Sequence, residues 1–449
     1  MTALAPGRER WLLAALAGVQ LSSVLDFMLP MPLGAQIMRL FDITPGEFGL
    51  LVSAYMITAS AVGFAAALVV DRFDRRTTLL VCYAGFTGTT VLAASAQSYA
   101  WLLAARAAAG AFGGVLGATV LAIIGDAIPD SRRGRALGFV MSAYSLASIA
   151  GIPLAIYLAN HFSWRAPFLF NTALCAAILG VAAYAVPRVH GHLEAARSRT
   201  ARSKLAGVFG RANHLRALGL TILLNFSGMS IVPFLAPYLV ANVGIGEAEL
   251  PVTYFFGGLA TFAFVRLVGR LTDLHGRRRT FMSVAALSAV AILVATHLPP
   301  VALWVATLSQ MFLMTTLSAR FVPAMATVTA AVEPGLRGSF MAFNAAAMQL
   351  AAGIASWGAS LLVSRGAAGE LVGFGAVGWL SVAAACAAIA LGARAAQERR
   401  VAASAAKNTT CATLGAAGTT NARPQANGAP SADTATTTAS GFTNRSVRG

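Results

Sequence analysis

Long apolar runs separated by short polar breaks fill the chain from Trp11 almost to Arg394. Each run is roughly 20 residues, the length a helix needs to cross about 30 Å of hydrocarbon. Breaks at charge, proline and glycine predict helices near 11–38, 47–70, 79–97, 101–126, 136–159 and 166–187. Six more follow near 215–241, 251–272, 280–297, 301–331, 339–364 and 371–394. The expected architecture is an all-α polytopic membrane protein of about twelve helices, with a first half at 11–187 and a second at 215–394. Around them lie a short N-terminus (1–10), a basic linker (188–214) and a tail (395–449). The tail holds Ala, Thr, Gly, Ser and Asn with almost no large apolar residues. It cannot bury enough surface to offset its ordering entropy, so disorder is expected there. The first apolar run follows Arg8 and Arg10 as a signal peptide would, but no small-residue cleavage site precedes Asp26 and the paired prolines. It is read as a retained first helix.

Composition agrees, with 57% of the 449 residues hydrophobic and 11% charged, where a soluble domain carries about 25% charged residues. A large soluble catalytic domain has no room. The net charge of +17 comes from short clusters between apolar runs. They form no continuous basic face, so nucleic acid is not an expected partner. One set of breaks carries Arg8, Arg10, Arg72, Arg75, Arg76, Arg132, Arg133, Arg135, Arg270, Arg277, Arg278, Arg279 and Arg337; the opposite loops hold only Arg39, Arg165 and Arg365. Basic loops stay cytoplasmic, so an inner (plasma) membrane protein with both termini in the cytoplasm is expected. Cys82, Cys175, Cys386 and Cys411 are scattered without CxxC spacing and read as free thiols.

An internal repeat divides the chain. Asp71, Arg75 and Arg76 match Asp273, Arg277 and Arg278 at an offset of 202, and Arg133-Gly134 matches Arg337-Gly338 at 204. Duplicated halves are a recurrent device of secondary transporters, in which the halves rock around one central site, for which a monomer suffices.

On these residues the chain resembles the major facilitator superfamily over 10–395, and within it the twelve-span drug:proton antiporter and sugar-efflux branch. The family's G-x-L-x-D-x-x-G-R-R signature stands as Gly269, Leu271, Asp273, Gly276, Arg277 and Arg278. The first-half copy keeps Asp71, Arg75 and Arg76 but has Ala67 and Asp74 where glycines are usual, which puts its tight turn in question. The resemblance implies that these carboxylates and arginines pair at the cytoplasmic rim as a conformational switch; the alternative is solvated charges that only fix topology. Arg106 followed by Gly110, Gly113, Gly114 and Gly117 resembles the family's helix-4 motif, whose small residues let helices approach closely. Gly151-Ile152-Pro153 is similar to the antiporter motif of helix 5, in a Gly-x-Pro form closer to arabinose, ribonucleoside and chloramphenicol exporters.

Asp26 is the most informative residue, because a carboxylate within an apolar helix is costly unless it is paired or faces a water-filled cavity. Counted from the helix ends, Arg106 lies at a similar depth, so the two can pair. The arginine then favours the ionised carboxylate while burial opposes it, a balance suited to carrying a proton. The alternative is that Asp26 hydrogen-bonds backbone freed at the Pro30 and Pro32 break. Arg266 and Arg320 also interrupt apolar runs; they either attract anionic substrate groups or snorkel. Pro30 and Pro32 match Pro233 and Pro237, either as flexing points or as static kinks. Phe27, Met28, Tyr55, Met229, Arg320 and Asn344 are candidates for an adaptable cavity, against the alternative of ordinary core or lipid-facing residues. No phosphate-binding loop, HExxH or Gly-x-Ser-x-Gly is present, and His190 and His192 lack further ligands, so no cofactor, metal or enzymatic chemistry is expected.

Three functions follow: proton-coupled export of small drug-like or amphipathic molecules, efflux of a polar metabolite such as a sugar or nucleoside, and a membrane sensor or scaffold that does not transport.

Overall fold

In lipid, backbone N–H and C=O groups have no water to bond, so a chain this apolar satisfies them within helices. The computed structural model, described over residues 6–69, 73–187, 207–333 and 336–392, has twelve helices long and apolar enough to cross a membrane. Counting interrupted helices as one, they are α1 (Gly7–Met28), α2 (Pro45–Leu68), α3 (Arg75–Ala94), α4 (Tyr99–Ala127), α5 (Ser131–His161), α6 (Ala166–Ala185), α7 (Ala212–Val243), α8 (Leu250–His275), α9 (Arg277–Thr296), α10 (Leu303–Ala331), α11 (Arg337–Leu362) and α12 (Phe374–Gly392). Large apolar side chains such as Phe162, Leu274, Trp304 and Trp379 face outward, as a lipid-solvated surface requires. The expected tail, and the linker up to 206, lie outside the described residues.

Two departures from the expected helices have local causes. The first run breaks at 29–33, where Pro30 and Pro32 cannot donate to the helical ladder, and resumes as a short helix, Gly34–Leu40. The last helix begins at Phe374 because the α11–α12 connection is a hairpin of two strands, β1 (Ser364–Arg365) and β2 (Leu371–Val372), a small exception to the all-α expectation. Gly373 closes that hairpin with φ +90, and a Cβ there would lie 2.0 Å from the Leu362 carbonyl oxygen. Only glycine fits.

The packing repeats between halves: α1 against α5 is matched by α7 against α11, and α2 against α4 by α8 against α10. Two crossed interfaces, α2 with α11 and α8 with α5, join the halves. Along the first, Gly49 abuts Ser360, Gly353 abuts Ile57, and the Ser60 hydroxyl donates to the Ala346 carbonyl at 2.8 Å. Small residues let these backbones close, which is how helices associate where lipid removes the hydrophobic drive.

Candidate functional site

The glycines of α4 build the site. A Cβ at Gly110 would lie 2.1 Å from the Tyr55 carbonyl oxygen, and one at Gly114 would lie 2.2 Å from that of Ala59. With no side chains there, α4 presses on α2, and the Thr58 hydroxyl donates across the seam to the Ala107 carbonyl at 2.8 Å. Gly113 leaves room for the Tyr55 ring. Gly117 meets nothing within 4 Å and serves no such contact.

Within this seam Arg106 Nη1 donates to Asp26 Oδ2 at 2.6 Å, both side chains being 1% exposed. The guanidinium lies 4.7 Å from the centre of the Tyr55 ring, which itself meets the Phe27 ring at 5.4 Å. Desolvated cation–π contact adds to the ion pair. Asp26 Oδ1 and Arg106 Nε are enclosed without a hydrogen-bond partner. A buried carboxylate with one paired and one vacant oxygen has capacity left for a proton. Asp26, Phe27, Tyr55 and Arg106 thus come together. Met28 is half-buried at the end of α1.

Gly151 and Pro153 sit on α5 at a widened turn, Ala147–Gly151. Pro153 has no N–H for the Ile149 carbonyl, and its ring would press on that carbonyl in a regular helix; a π-turn relieves both. Gly151 faces Leu25, the neighbour of Asp26, and across the half-to-half interface Gly258 packs directly on the Ser148–Ile149 backbone. The motif therefore links the charged pair's helix to α8.

The second half is built differently. Arg320, 0% exposed, occupies a break in α10 and donates to the Ser227 hydroxyl (3.2 Å), the Ser288 hydroxyl (3.1 Å) and the Leu224 carbonyl (2.8 Å). No carboxylate pairs with it among the described residues. Snorkelling does not apply to it. At the repeat offsets of 204 and 202, Arg320 and Ser288 correspond to Leu116 and Phe86: two apolar positions of the first half become a hydrogen-bonded polar pair in the second. Ser227 also accepts at its carbonyl from Ser381, as Ser22 accepts from Asn171 in the first half. Asn344 is fully engaged, accepting from Thr221 at 2.6 Å with its amide nitrogen toward Met348 Sδ, and so ties α7 to α11. Met229, half-buried, adjoins Gly228, which faces Arg320. Arg266 is exposed with its guanidinium 3.5 Å from the Phe262 ring centre.

At the arginine-rich end the two signature copies diverge. Gly276 has φ +84 and joins α8 to α9 in one step, which explains the glycine. Asp74 replaces it in the first copy with extended backbone and an N-cap, its carboxylate accepting from the Thr77 N–H at 2.9 Å. The pairing expected of Asp273 with Arg277 and Arg278 is not formed: all three are exposed, and Arg277 donates instead to the Ala326 carbonyl at 3.1 Å. Exposed charges beside water gain little from pairing. Arg75 meets Asp126 at 3.4 Å and Arg76 donates to the Ala183 carbonyl at 2.6 Å; Asp71 lies outside the described residues.

Sequence reasoning missed the opposite end. There Glu247, between α7 and α8, meets Arg39 at 2.6 Å and accepts from Gln36 at 3.1 Å, and its carbonyl accepts from Asn160 at 2.8 Å. One residue of the second half gathers three from the first. Arg39 stood out as one of three arginines on that side, a signal that asked for a partner.

Fold and site define a twelve-helix membrane protein of the major facilitator fold. Residues 16–217 match the Major Facilitator Superfamily model. A probable 4-methylmuconolactone transporter of Cupriavidus pinatubonensis is 28% identical over 284 residues, 61% of each chain. A chloramphenicol resistance protein of Streptomyces lividans is 28% identical over 51% of this chain and 59% of its own. The matched region thus spans about 60% of these relatives' length. The crystal structure of a bacterial homolog of the human lysosomal transporter Spinster, inward-facing and occupied, superposes with TM-score 0.69 at 16% identity, covering 88% of this chain and 98% of that one. The human organic anion transporter TETRAN gives 0.63 at 18% identity, covering 87% and 100%. The chain thus has the major facilitator fold, and under half of its length matches that superfamily's model.

Proposed function

We propose that the protein is a secondary active transporter that exports small, drug-like or amphipathic organic molecules by proton antiport and alternating access. The observation that carries this reading is the buried Asp26–Arg106 pair, a desolvated charge couple with a vacant carboxylate oxygen on a helix that packs against the antiporter-like turn at Gly151 and Pro153. Proton uptake at Asp26 would free Arg106, and substrate arrival would reverse the exchange. The similarity to a probable 4-methylmuconolactone transporter and to a chloramphenicol resistance protein supports small organic cargo. The drug:proton antiporter and sugar-efflux branch is the closest reading of the motifs, and the Gly-x-Pro form favours polar-metabolite efflux as the second choice.

The arginine-rich end faces the cytoplasm of an inner membrane in this reading, and a monomer of two rocking halves, 11–187 and 215–394, suffices. Asp71, Arg75, Arg76, Asp273, Gly276, Arg277 and Arg278 act at the cytoplasmic gate, whose pairs form when that gate closes; the Glu247 cluster holds the outer gate shut. The test is substrate-induced proton release from reconstituted protein across a compound panel, wild type against Asp26→Asn. Release by wild type alone, with binding retained in the variant, supports the proposal. Equal release by both moves the coupling elsewhere, and no release by either leaves facilitated transport or a non-transporting sensor.

A further inference from the structure

Gln310 is the second-half counterpart of Arg106: the offset of 204 that aligns α4 with α10 carries one onto the other. It is 1% exposed, and its amide nitrogen is enclosed with no hydrogen-bond partner. Elsewhere in the second half amides are used, as buried Asn344 and half-buried Asn225 are. An unsatisfied buried amide in a membrane interior costs free energy that a leucine of similar size would not. It sits against α8 at Gly257, where a Cβ would lie 2.8 Å from Met314 Sδ and 3.8 Å from Gln310 Cγ. Gly257 is in turn the counterpart of Tyr55 at the offset of 202, and Asp26 maps to Met229 or Ser230. Where the first half holds an ion pair stacked on an aromatic ring, the second holds one amide among uncharged residues.

We propose that Gln310 reads the substrate, its amide N–H donating to the carbonyl oxygen of an uncharged organic molecule. This deepens the transport reading and rests on it: the first half carries the proton and the second recognises the cargo. An anion would need a cation here, and Arg320, the buried one of this half, is directed to Ser227, Ser288 and Leu224. A purely apolar cargo would leave the amide as costly as it is in the empty protein.

The experiment compares full-length wild type with Gln310→Leu in lipid nanodiscs. The probes are chloramphenicol (a neutral amide), coumarin (a neutral lactone), benzoate (an anion) and naphthalene (apolar). Ligand-free melting temperature and calorimetric binding are both recorded. The expected result is a ligand-free variant that melts at the same temperature as wild type or higher, with affinity for chloramphenicol or coumarin down roughly tenfold and naphthalene unaffected. A variant that melts lower and binds the neutral probes as wild type does would make Gln310 a packing residue. Preference for benzoate, or equal binding of every carbonyl probe by the two proteins, including none by either, overturns the proposal as well. Proton release by wild type against Asp26→Asn in the same nanodiscs separates the two ideas: Gln310-dependent binding with no release by wild type keeps the amide site and fells antiport, and Asp26-dependent release with Gln310-independent binding does the opposite.

Discussion

Arg39 and Glu247 meet at 2.6 Å between the two halves, at the end of the bundle where basic residues are scarce. Gln36 and Asn160 converge on the same residue, and nearby Phe48 and Phe234 meet edge to face at 6.0 Å. Opening this end requires all of these to part. A half-exposed ion pair contributes about 0–1 kcal/mol, enough to shift a two-state population by up to roughly fivefold. Glu247→Gln is therefore expected to increase the fraction open at this end, measured as the distance distribution between spin labels placed one on each half. The charge swap Arg39→Glu with Glu247→Arg should restore the wild-type distribution; if Glu247→Gln leaves it unchanged, the pair is not a latch.

The α4 glycines make a graded steric prediction. Gly110→Ala drives a methyl group into the Tyr55 backbone, which cannot swing aside, at a cost of about 1–3 kcal/mol. Gly117→Ala meets open space and gains up to about 1 kcal/mol in helix propensity. Melting curves in detergent should lower for the first and hold or rise for the second, and the reverse order would remove the close-approach account of the motif.

How much of this was legible in the sequence depends on the range of the interaction. Helix positions followed from hydrophobic length; several ends moved by a few residues, as at α3 and α5, and two departures have evident local causes, the Pro30–Pro32 break and the Gly373 hairpin. Asp26 with Arg106 could be paired from depth alone, since a buried charge demands a partner and few were on offer. Tyr55 stacking on Arg106 could not, because it depends on which way α2 turns against α4, and that is decided by Gly110 and Gly113. The Glu247 cluster joins a loop residue to helical residues 87 to 211 positions away, without any periodic pattern. Gln310 was within reach of the repeat offset, but an uncharged residue in an apolar run gives no alarm until the structure leaves its amide without a partner.

Arg320 should tolerate loss of its charge better than loss of its shape. Its site offers hydroxyls and a carbonyl but no carboxylate among the described residues, so the charge is held at a desolvation cost. Arg320→Met removes that cost, while Ser227 keeps Ser381 and Ser288 keeps the Ala285 carbonyl. Stability is expected within about 1 kcal/mol of wild type. Arg320→Lys keeps the charge without the planar fork that reaches three acceptors and should cost about 1–3 kcal/mol. Chemical denaturation of the three proteins tests the order, and a methionine variant less stable than the lysine variant would mean the charge has a counterion.

Asp26 and Arg106 are expected to be strongly non-additive. Each single substitution leaves the other partner buried, and breaking such a pair costs about 3–5 kcal/mol. The two orphans differ: a carboxylate left alone can neutralise by taking a proton, whereas a guanidinium cannot shed its own. Asp26→Asn should therefore destabilise more than Arg106→Gln. The double variant, with two neutral amides able to bond each other, should be more stable than the sum of the singles by about 0.5–3 kcal/mol. A double-mutant cycle in detergent reads that coupling directly, and strict additivity would mean that the two charges are each stabilised by something other than their partner.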